Sequence, residues 1–417
     1  MTDTIKEVPF HPGISKYSYE RSIARGNRKG LITANDERLI LEFVTWKSVE
    51  SNISPSRRNK ITSTLVNWKR FLPVEYPALT MTDLMTGIMN MKTGKSETGN
   101  PLKTNTQHDF VRILKMFLYW MIENRYSTLP LEKVKKIQAP RQDYNTTEPH
   151  EILTKEEIEK LLNSCPNSRD RCLIGILYET GARVSEIAKL SWKDVIFDEY
   201  GVRVYITDDK TKNKRYSRVT MMTQYLAQWR ADYWGPKDAE GLPVIAAPMF
   251  ISREGQTLTY VGVTRIIQRV MASAGITRKI TPHLFRKSRI THMVAQNYQE
   301  SIIKQSMWNN LSTTMFKTYV KLSEKDIDSE FLFKSGLKTI EEKQKEALKP
   351  NPCTNCHTVN PPNANYCLKC GQPVTDKARI QVDDSGSLIR DLLSQDSDAQ
   401  AIFLELLQEI QNKKNKQ

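Results

Sequence analysis

Apolar residues in this chain recur at helical spacing almost throughout, and at strand spacing in one short stretch. That contrast constrains the fold more than any other feature. In TNTQHDFVRILKMFLYWMIENR, Phe110, Ile113, Leu114, Phe117, Leu118 and Met121 follow the i, i+3, i+4, i+7 pattern of a helix with one apolar face. In VIFDEYGVRVYITDD, by contrast, Val202, Val204 and Ile206 alternate with other residues, which is the period of a strand. A basic turn, Lys210 to Arg215, joins that strand to the next. The pattern predicts a mainly α protein with a small antiparallel β-sheet packed against helices.

Helix punctuation divides the chain further. Thr33 and Asp36 form a capping pair ahead of Leu39, Ile40 and Phe43. Ser54 before Pro55 marks a second start, with Ile61, Leu65, Trp68 and Leu72 turned inward. Lys60, Lys69 and Arg70 fall off that face, free to meet phosphate or water. With LTMTDLMTGIMNMKT and the helix around Phe110, these segments predict an all-α domain over residues 33–132. Residues 1–32 read as irregular and basic (Arg21, Arg25, Arg28, Lys29), either an arm for a polyanion or a solvated leader. Residues 133–150 read as a polar linker broken by proline.

A second domain is expected over 151–330. It opens with a capping box, Thr154 and Glu157, ahead of Ile158, Leu161 and Leu162. The helix through LIGILYETG is halted by Gly181, and another begins at Val184. A charged helical connector (331–349), a cysteine-bearing module (350–374), an acidic spacer VDDSGS and amphipathic helices over 386–413 complete the order.

Charge narrows the class of partner. Lys and Arg number 62 against 47 acids, a formal net charge of +15. An excess of this size suits a polyanion, since neutralised phosphates release counterions. Hydrophobic residues at 39% and charged residues at 26% form an ordinary globular balance. No apolar run approaches the ~18 residues of a membrane span, and MTDTIKEVPFHPG lacks the apolar core of a secretion signal. A cytoplasmic, nucleoid-associated protein without membrane contact is expected.

The six cysteines fall into two groups. Cys165 and Cys172 lie in helical text and read as buried thiols. Cys353, Cys356, Cys367 and Cys370 form two CxxC knuckles, each able to turn two thiolates toward one ion. Four thiolates suit a closed tetrahedral zinc site of structural type, against the alternatives of redox thiols or iron. A module this short, with almost no core, depends on its metal to fold. Contact with DNA or with a protein partner is equally open to it.

The chemistry-bearing residues concentrate in TPHLFRKSRITHM, in SMWNNLSTTMFKTY and in ETGARVSEI. They offer Arg183, His283, Arg286, Trp308 and Tyr319, with Lys212 in the basic turn. Taken singly, each has a plain structural reading: a surface arginine, a chance HxxR pair, a core indole, or one of 16 tyrosines. Together they suit tyrosine attack on a phosphodiester. A phenol is a weak nucleophile, with a pKa near 10. The pentacoordinate transition state gathers negative charge on the non-bridging oxygens, where fixed cations help most. Arginine grips such oxygens with two parallel donors. His283 shares a helical face with Arg286, three positions on, and suits a proton shuttle or a phosphate donor. Trp308 donates only through its indole N–H. A lysine on a mobile turn can protonate the leaving 5′-oxygen. Lys212 fits that task, with Lys210 the close alternative. The phosphotyrosyl bond conserves the energy of the bond it replaces, so catalysis calls for no metal or nucleotide.

On these residues the chain resembles the tyrosine recombinases of the phage-integrase family, from about residue 33 to 330. TGARVSEIAKLSWKDV is similar to the family's first arginine box, TPHLFRKSRITHM to its His-x-x-Arg box, and the hairpin between them to its catalytic-lysine turn. NWKRFL and LKMFLYWMIENR resemble its core-binding domain. The resemblance implies a helical core-binding domain plus a catalytic domain clamped around double-stranded DNA. It also implies a homo-tetrameric synapse and strand exchange through a four-way junction. Ser306-Met307-Trp308 stands where many members carry Leu-Gly-His, and tryptophan in the histidine's place keeps one donor. Bacterial spacing would put the nucleophile at Lys317, which cannot serve. TYVKLSEKDID resembles archaeal members, whose tyrosine comes later, and so points to Tyr319. A zinc ribbon after the tyrosine also resembles archaeal integrases, of cellular or viral mobile elements. The alternatives left standing are a catalytically silent DNA-binding protein and a DNA-relaxing enzyme of the type IB topoisomerase kind.

Overall fold

The computed structural model describes residues 5, 7–10, 18–144, 147–208, 213–337, 348–395, 400–403, 405 and 408. The chain divides into two compact units, His11–Thr146 and a second made of Met1–Phe10 with Thr147–Gln417.

The smaller unit is all-helical: α1 (Tyr19–Arg28), α2 (Ala34–Ser51), α3 (Pro55–Trp68), α4 (Met81–Thr93), α5 (Thr104–Glu123) and α6 (Leu131–Lys136). The Thr33–Asp36 capping box starts α2, and Ser54 with Pro55 starts α3, as the sequence predicts. Leu39, Ile40 and Phe43 from α2 meet Ile61, Leu65 and Trp68 from α3 and the Phe110–Met121 stripe of α5 in one core. The Trp68 indole donates to the Phe110 carbonyl at 2.9 Å, joining α3 to α5.

Two expectations for this region are corrected. Residues 1–32 are not one irregular arm. Tyr19–Arg28 is a helix, capped by Ser18, that buries Ile23 and Gly26, whereas Val8 exchanges hydrogen bonds with Thr257 of the larger unit. Lys69 is not available to phosphate either. It is buried, with its ammonium 2.9 Å from the equally buried Asp36 carboxylate and 2.6 Å from the Val74 carbonyl. Lys69 sits beside the apolar stripe, and the fixed carboxylate that caps α2 supplies its counter-charge.

The larger unit wraps helices around α8 (Ser168–Thr180), whose residues are nearly all buried. Before it stands α7 (Lys155–Asn163), opened by the predicted Thr154–Glu157 box. After it come α9 (Val184–Ala188) and the strands β1 (Val195–Asp198), β2 (Gly201–Thr207) and β3 (Lys214–Val219), an antiparallel meander in the order β1-β2-β3. Val202, Val204 and Ile206 face inward opposite Val219, Ser217 and Arg215. Then follow α10 (Thr223–Asp232), α11 (Tyr260–Ser273), α12 (Pro282–Ala295), α13 (Glu300–Trp308), α14 (Phe316–Tyr319) and α15 (Glu324–Lys334). The fold is mainly helical with one small sheet against it.

Further along the chain, the cysteine module carries a two-stranded ladder, β4 (Asn351–Pro352) with β5 (Val359–Asn360). It is docked on the larger unit: Gln224 donates to the Val359 carbonyl at 3.2 Å, and the Tyr225 hydroxyl to Asn363 at 2.5 Å. The predicted spacer VDDSGS is helical instead, lying inside one helix that runs Asp376–Gln395. Its flanks are strong enough helix text to carry Gly386 through the turn. The described part of that helix leaves Ile380, Val382 and Leu388 exposed. Among the described residues no helix is long and apolar enough to cross a membrane.

Candidate active site

The site begins where α8 stops. Gly181 ends that helix in the left-handed region (φ 55°), and a Cβ there would stand 2.9 Å from the Met307 sulfur. The turn sets Arg183 at the head of α9. Glu186, three residues on and buried, accepts from the Arg183 backbone N–H at 2.9 Å and from its Nη1 at 2.7 Å. Asp208, at the end of β2, holds the same guanidinium. Burial works against the charge on Arg183, but Glu186 and Asp208 outweigh it and hold the pKa above the ordinary arginine value. Its side chain remains 29% exposed, so the cation still faces solvent.

The α12 helix brings His283 and Arg286. Arg286 is fully buried, donating to the Gly181 carbonyl and the Met307 carbonyl, each at 2.7 Å. Among the described residues it has no carboxylate in ion-pair contact, and its Nε has no partner. Burial, then Arg215 and Arg183, bring its pKa down to about 10, so it keeps its charge at neutral pH. His283 is an exposed residue, yet partial desolvation of its ring and then the cations Lys287, Arg286 and Arg183 push its pKa down to about 4. The imidazole is therefore neutral at neutral pH, able to accept a proton as well as donate a hydrogen bond.

Trp308 ends α13, which closes on Asn309 in the left-handed region, the place where a glycine is common. The position glycine often fills in this motif holds Met307, buried against Gly181. The Trp308 indole N–H is buried with no partner. Tyr319 ends α14 with its ring edge-on to His283 (5.2 Å between centroids) and to Trp308 (5.4 Å). The Arg286 guanidinium lies 5.1 Å from the Trp308 ring centre and 5.6 Å from that of Tyr319. Thr291 fastens the tyrosine segment: its hydroxyl accepts from Lys321 N–H at 3.1 Å and reaches the Tyr319 carbonyl at 3.4 Å.

The fold thus brings Arg183, His283, Arg286, Trp308 and Tyr319 to one place. Lys317 is exposed on the same short helix. Lys212 and its alternative Lys210 lie outside the described residues. Sequence reasoning missed Glu186, Asp208, Thr291 and Arg215. Glu186 had a signal, a carboxylate three residues beyond an arginine. Arg215 had a weaker one, since strand alternation from Val219 through Ser217 turns it inward.

Residues 151–326 match the phage integrase family. A tyrosine recombinase XerD from Listeria innocua is 26% identical over 231 residues, covering 53% of this chain and 74% of the relative. Residues 151–326 form a tyrosine recombinase domain. A tyrosine recombinase XerC from Chlamydia trachomatis serovar L2 is 27% identical over 218 residues, 51% of this chain and 66% of that one. Two solved structures share the fold. A XerH site-specific recombinase bound to palindromic difH substrate superposes with TM-score 0.53 at 16% identity, over 78% of this chain and 94% of that one. A lambda integrase dimer bound to a COC′ core site gives 0.52 at 17%, over 69% and 77%.

The four cysteines of the C-terminal module fit a tetrahedral ion. Their sulfurs all lie within 4.8 Å of one another, with Cys353–Cys370 and Cys356–Cys367 at 3.6 Å. Four ligands at the usual zinc–sulfur length would set them about 3.8 Å apart.

Proposed function

We propose that this tyrosine recombinase is a site-specific DNA recombinase of the integrase kind, acting on double-stranded DNA as a homo-tetramer. The observation that carries the reading is the Tyr319 ring held against His283, Trp308 and Arg286 beside two buried donors with no protein acceptor. In the reaction, the Tyr319 oxygen bonds to the scissile phosphorus and the P–O5′ bond breaks. Neutral His283 takes the phenolic proton. Arg183, Arg286 and the Trp308 N–H receive the charge that builds on the non-bridging oxygens. Lys212, in the basic turn, protonates the departing 5′-oxygen. The 5′-hydroxyl of another strand then reverses the step, and two such exchanges pass through a four-way junction. Neither metal nor ATP enters. The four cysteines hold a structural zinc ion, and the late tyrosine with its ribbon supports an archaeal affiliation.

The test is a suicide duplex carrying the attachment site, or supercoiled plasmid, denatured after incubation and examined for DNA-linked protein. The expected result is an adduct formed without metal or ATP and lost in Tyr319→Phe. An adduct that survives the substitution assigns the nucleophile elsewhere. No adduct on any substrate favours the silent DNA-binding alternative.

A further inference from the structure

One buried cation at the site has no part in that scheme. Arg215 leaves β3 on its inner face, opposite Ile206, and is 5% exposed. Its guanidinium spans two elements that are far apart in sequence. Nη2 donates to Glu186 at 3.1 Å, on the carboxylate oxygen that also accepts from the Arg183 backbone. Nη1 donates to the Ser306 carbonyl at 2.8 Å, two residues before Trp308 in the last turn of α13. A second tie joins the same pieces: Asn309, which ends that helix, donates to the Lys214 carbonyl at 3.2 Å. Arg215 also adds charge: its field, together with that of Arg183, lowers the Arg286 pKa.

We propose that Arg215 is a positioning residue for phosphate transfer. Through Glu186 it fixes Arg183, and through Ser306 it fixes Trp308, so that both donors address the same non-bridging oxygens. This rests on the recombinase reading given above. The requirement explains why an arginine stands there. The planar fork sends donors from two separate nitrogens in fixed directions, whereas a lysine would have to bring both acceptors to a single nitrogen. Loss of the fork releases both donors together. A displacement of about 1 Å in such a site costs roughly 100-fold in rate.

A purely structural ion pair would make the same contacts, so the test must report on the phosphate charge. Arg215→Lys and Arg215→Met are compared with the wild-type chain on two suicide duplexes. One carries an ordinary scissile phosphodiester, the other a methylphosphonate, which has no charged non-bridging oxygen. Cleavage and adduct formation are read in single turnover, with DNA affinity and melting temperature measured for each protein. Arg215→Lys keeps the buried charge and guards against a variant that simply unfolds. The expected loss is roughly 10- to 100-fold on the phosphodiester, and at least about threefold smaller on the methylphosphonate, whose transition state gathers charge on one non-bridging oxygen instead of two. Equal proportional losses on both duplexes, or no loss on either, overturn the proposal. A wild-type chain that forms no Tyr319-dependent adduct overturns the recombinase reading instead, which keeps the two failures apart.

Discussion

Thr291 offers a direct handle on Tyr319, the proposed nucleophile. Its hydroxyl is the acceptor for Lys321 N–H at 3.1 Å and touches the Tyr319 carbonyl at 3.4 Å. The second contact is at the edge of hydrogen-bond range and adds little. Replacing Thr291 by valine keeps the shape and removes the acceptor for a buried N–H. Losing such an acceptor costs about 1–3 kcal/mol. If that energy holds the tyrosine segment against α12, the docked-to-undocked ratio falls by about 5- to 150-fold, at tenfold for each 1.4 kcal/mol. DNA affinity, set by contacts elsewhere, should stay within about twofold, since distant sites act independently. The assay is single-turnover adduct formation on saturating suicide duplex, comparing wild type, Thr291→Val and Thr291→Ser. Serine keeps the hydroxyl and should recover most of the rate. A valine variant as fast as wild type would refute the clasp. A serine variant as slow as valine would show that the lost methyl, not the hydroxyl, matters.

Two further outcomes rest on groups outside that clasp. His292 hydrogen-bonds Tyr178 at 2.8 Å, and burial, then Arg289, push its pKa down to about 4. The fold therefore favours the neutral ring. That contribution is complete above the unfolded pKa of about 6.5 and is lost as pH falls toward 4, amounting to up to about 3 kcal/mol. Urea melts at pH 7, 5.5 and 4 should show His292→Gln losing less stability than wild type over that range, and parallel losses would exclude the assignment. His283 shifts the same way, but its exposure to solvent screens its share. For the ribbon, the purified chain should carry one zinc per chain, released by a chelator or by Cys367→Ser and measured with a colorimetric zinc dye. Its removal should abolish the lower of two melting transitions and leave the core around α8 folded. A single unchanged transition would show that the ribbon holds without metal.

The sequence was most legible where the physics is local. Helix starts at Thr33, Ser54 and Thr154 follow from one side chain meeting one backbone donor, and the Phe110–Met121 stripe follows from periodicity. The residues gathered at the site could be named because their types suit attack on a phosphate and because their order along the chain resembles that of a known family. What stayed hidden is what depends on distant pieces of chain meeting. Lys69 looked solvated because nothing in its neighbourhood announces Asp36, more than thirty residues earlier. Arg215 looked like one more charge in a basic turn because its two acceptors come from α9 and α13. The helix through VDDSGS was missed for a different reason: a short stretch with one valine among acids, serines and a glycine has no periodicity, and looks the same whether a helix passes through it or ends there.

Arg286 shows why such a site cannot be read as a stability device. A fully buried guanidinium is costly, and the usual compensation is a carboxylate. Here two backbone carbonyls take that place, and the buried Glu186 carboxylate is bound to Arg183 and Arg215. Lowering an arginine from 12.5 to about 10 means that the charged form is destabilised by roughly 3 kcal/mol. Two carbonyls hold the guanidinium in place without neutralising it. A carboxylate in their stead would steady the free protein and compete with phosphate for the same donors. The strain in the unliganded site is thus the source of its affinity for an anion: a phosphate entering beside Tyr319 meets a cation already desolvated and oriented, with Nε and the Trp308 N–H unpaired. It follows that a short duplex should raise the melting temperature of the wild-type domain more than that of Arg286→Met, even though the substitution removes a buried charge and relieves the free protein.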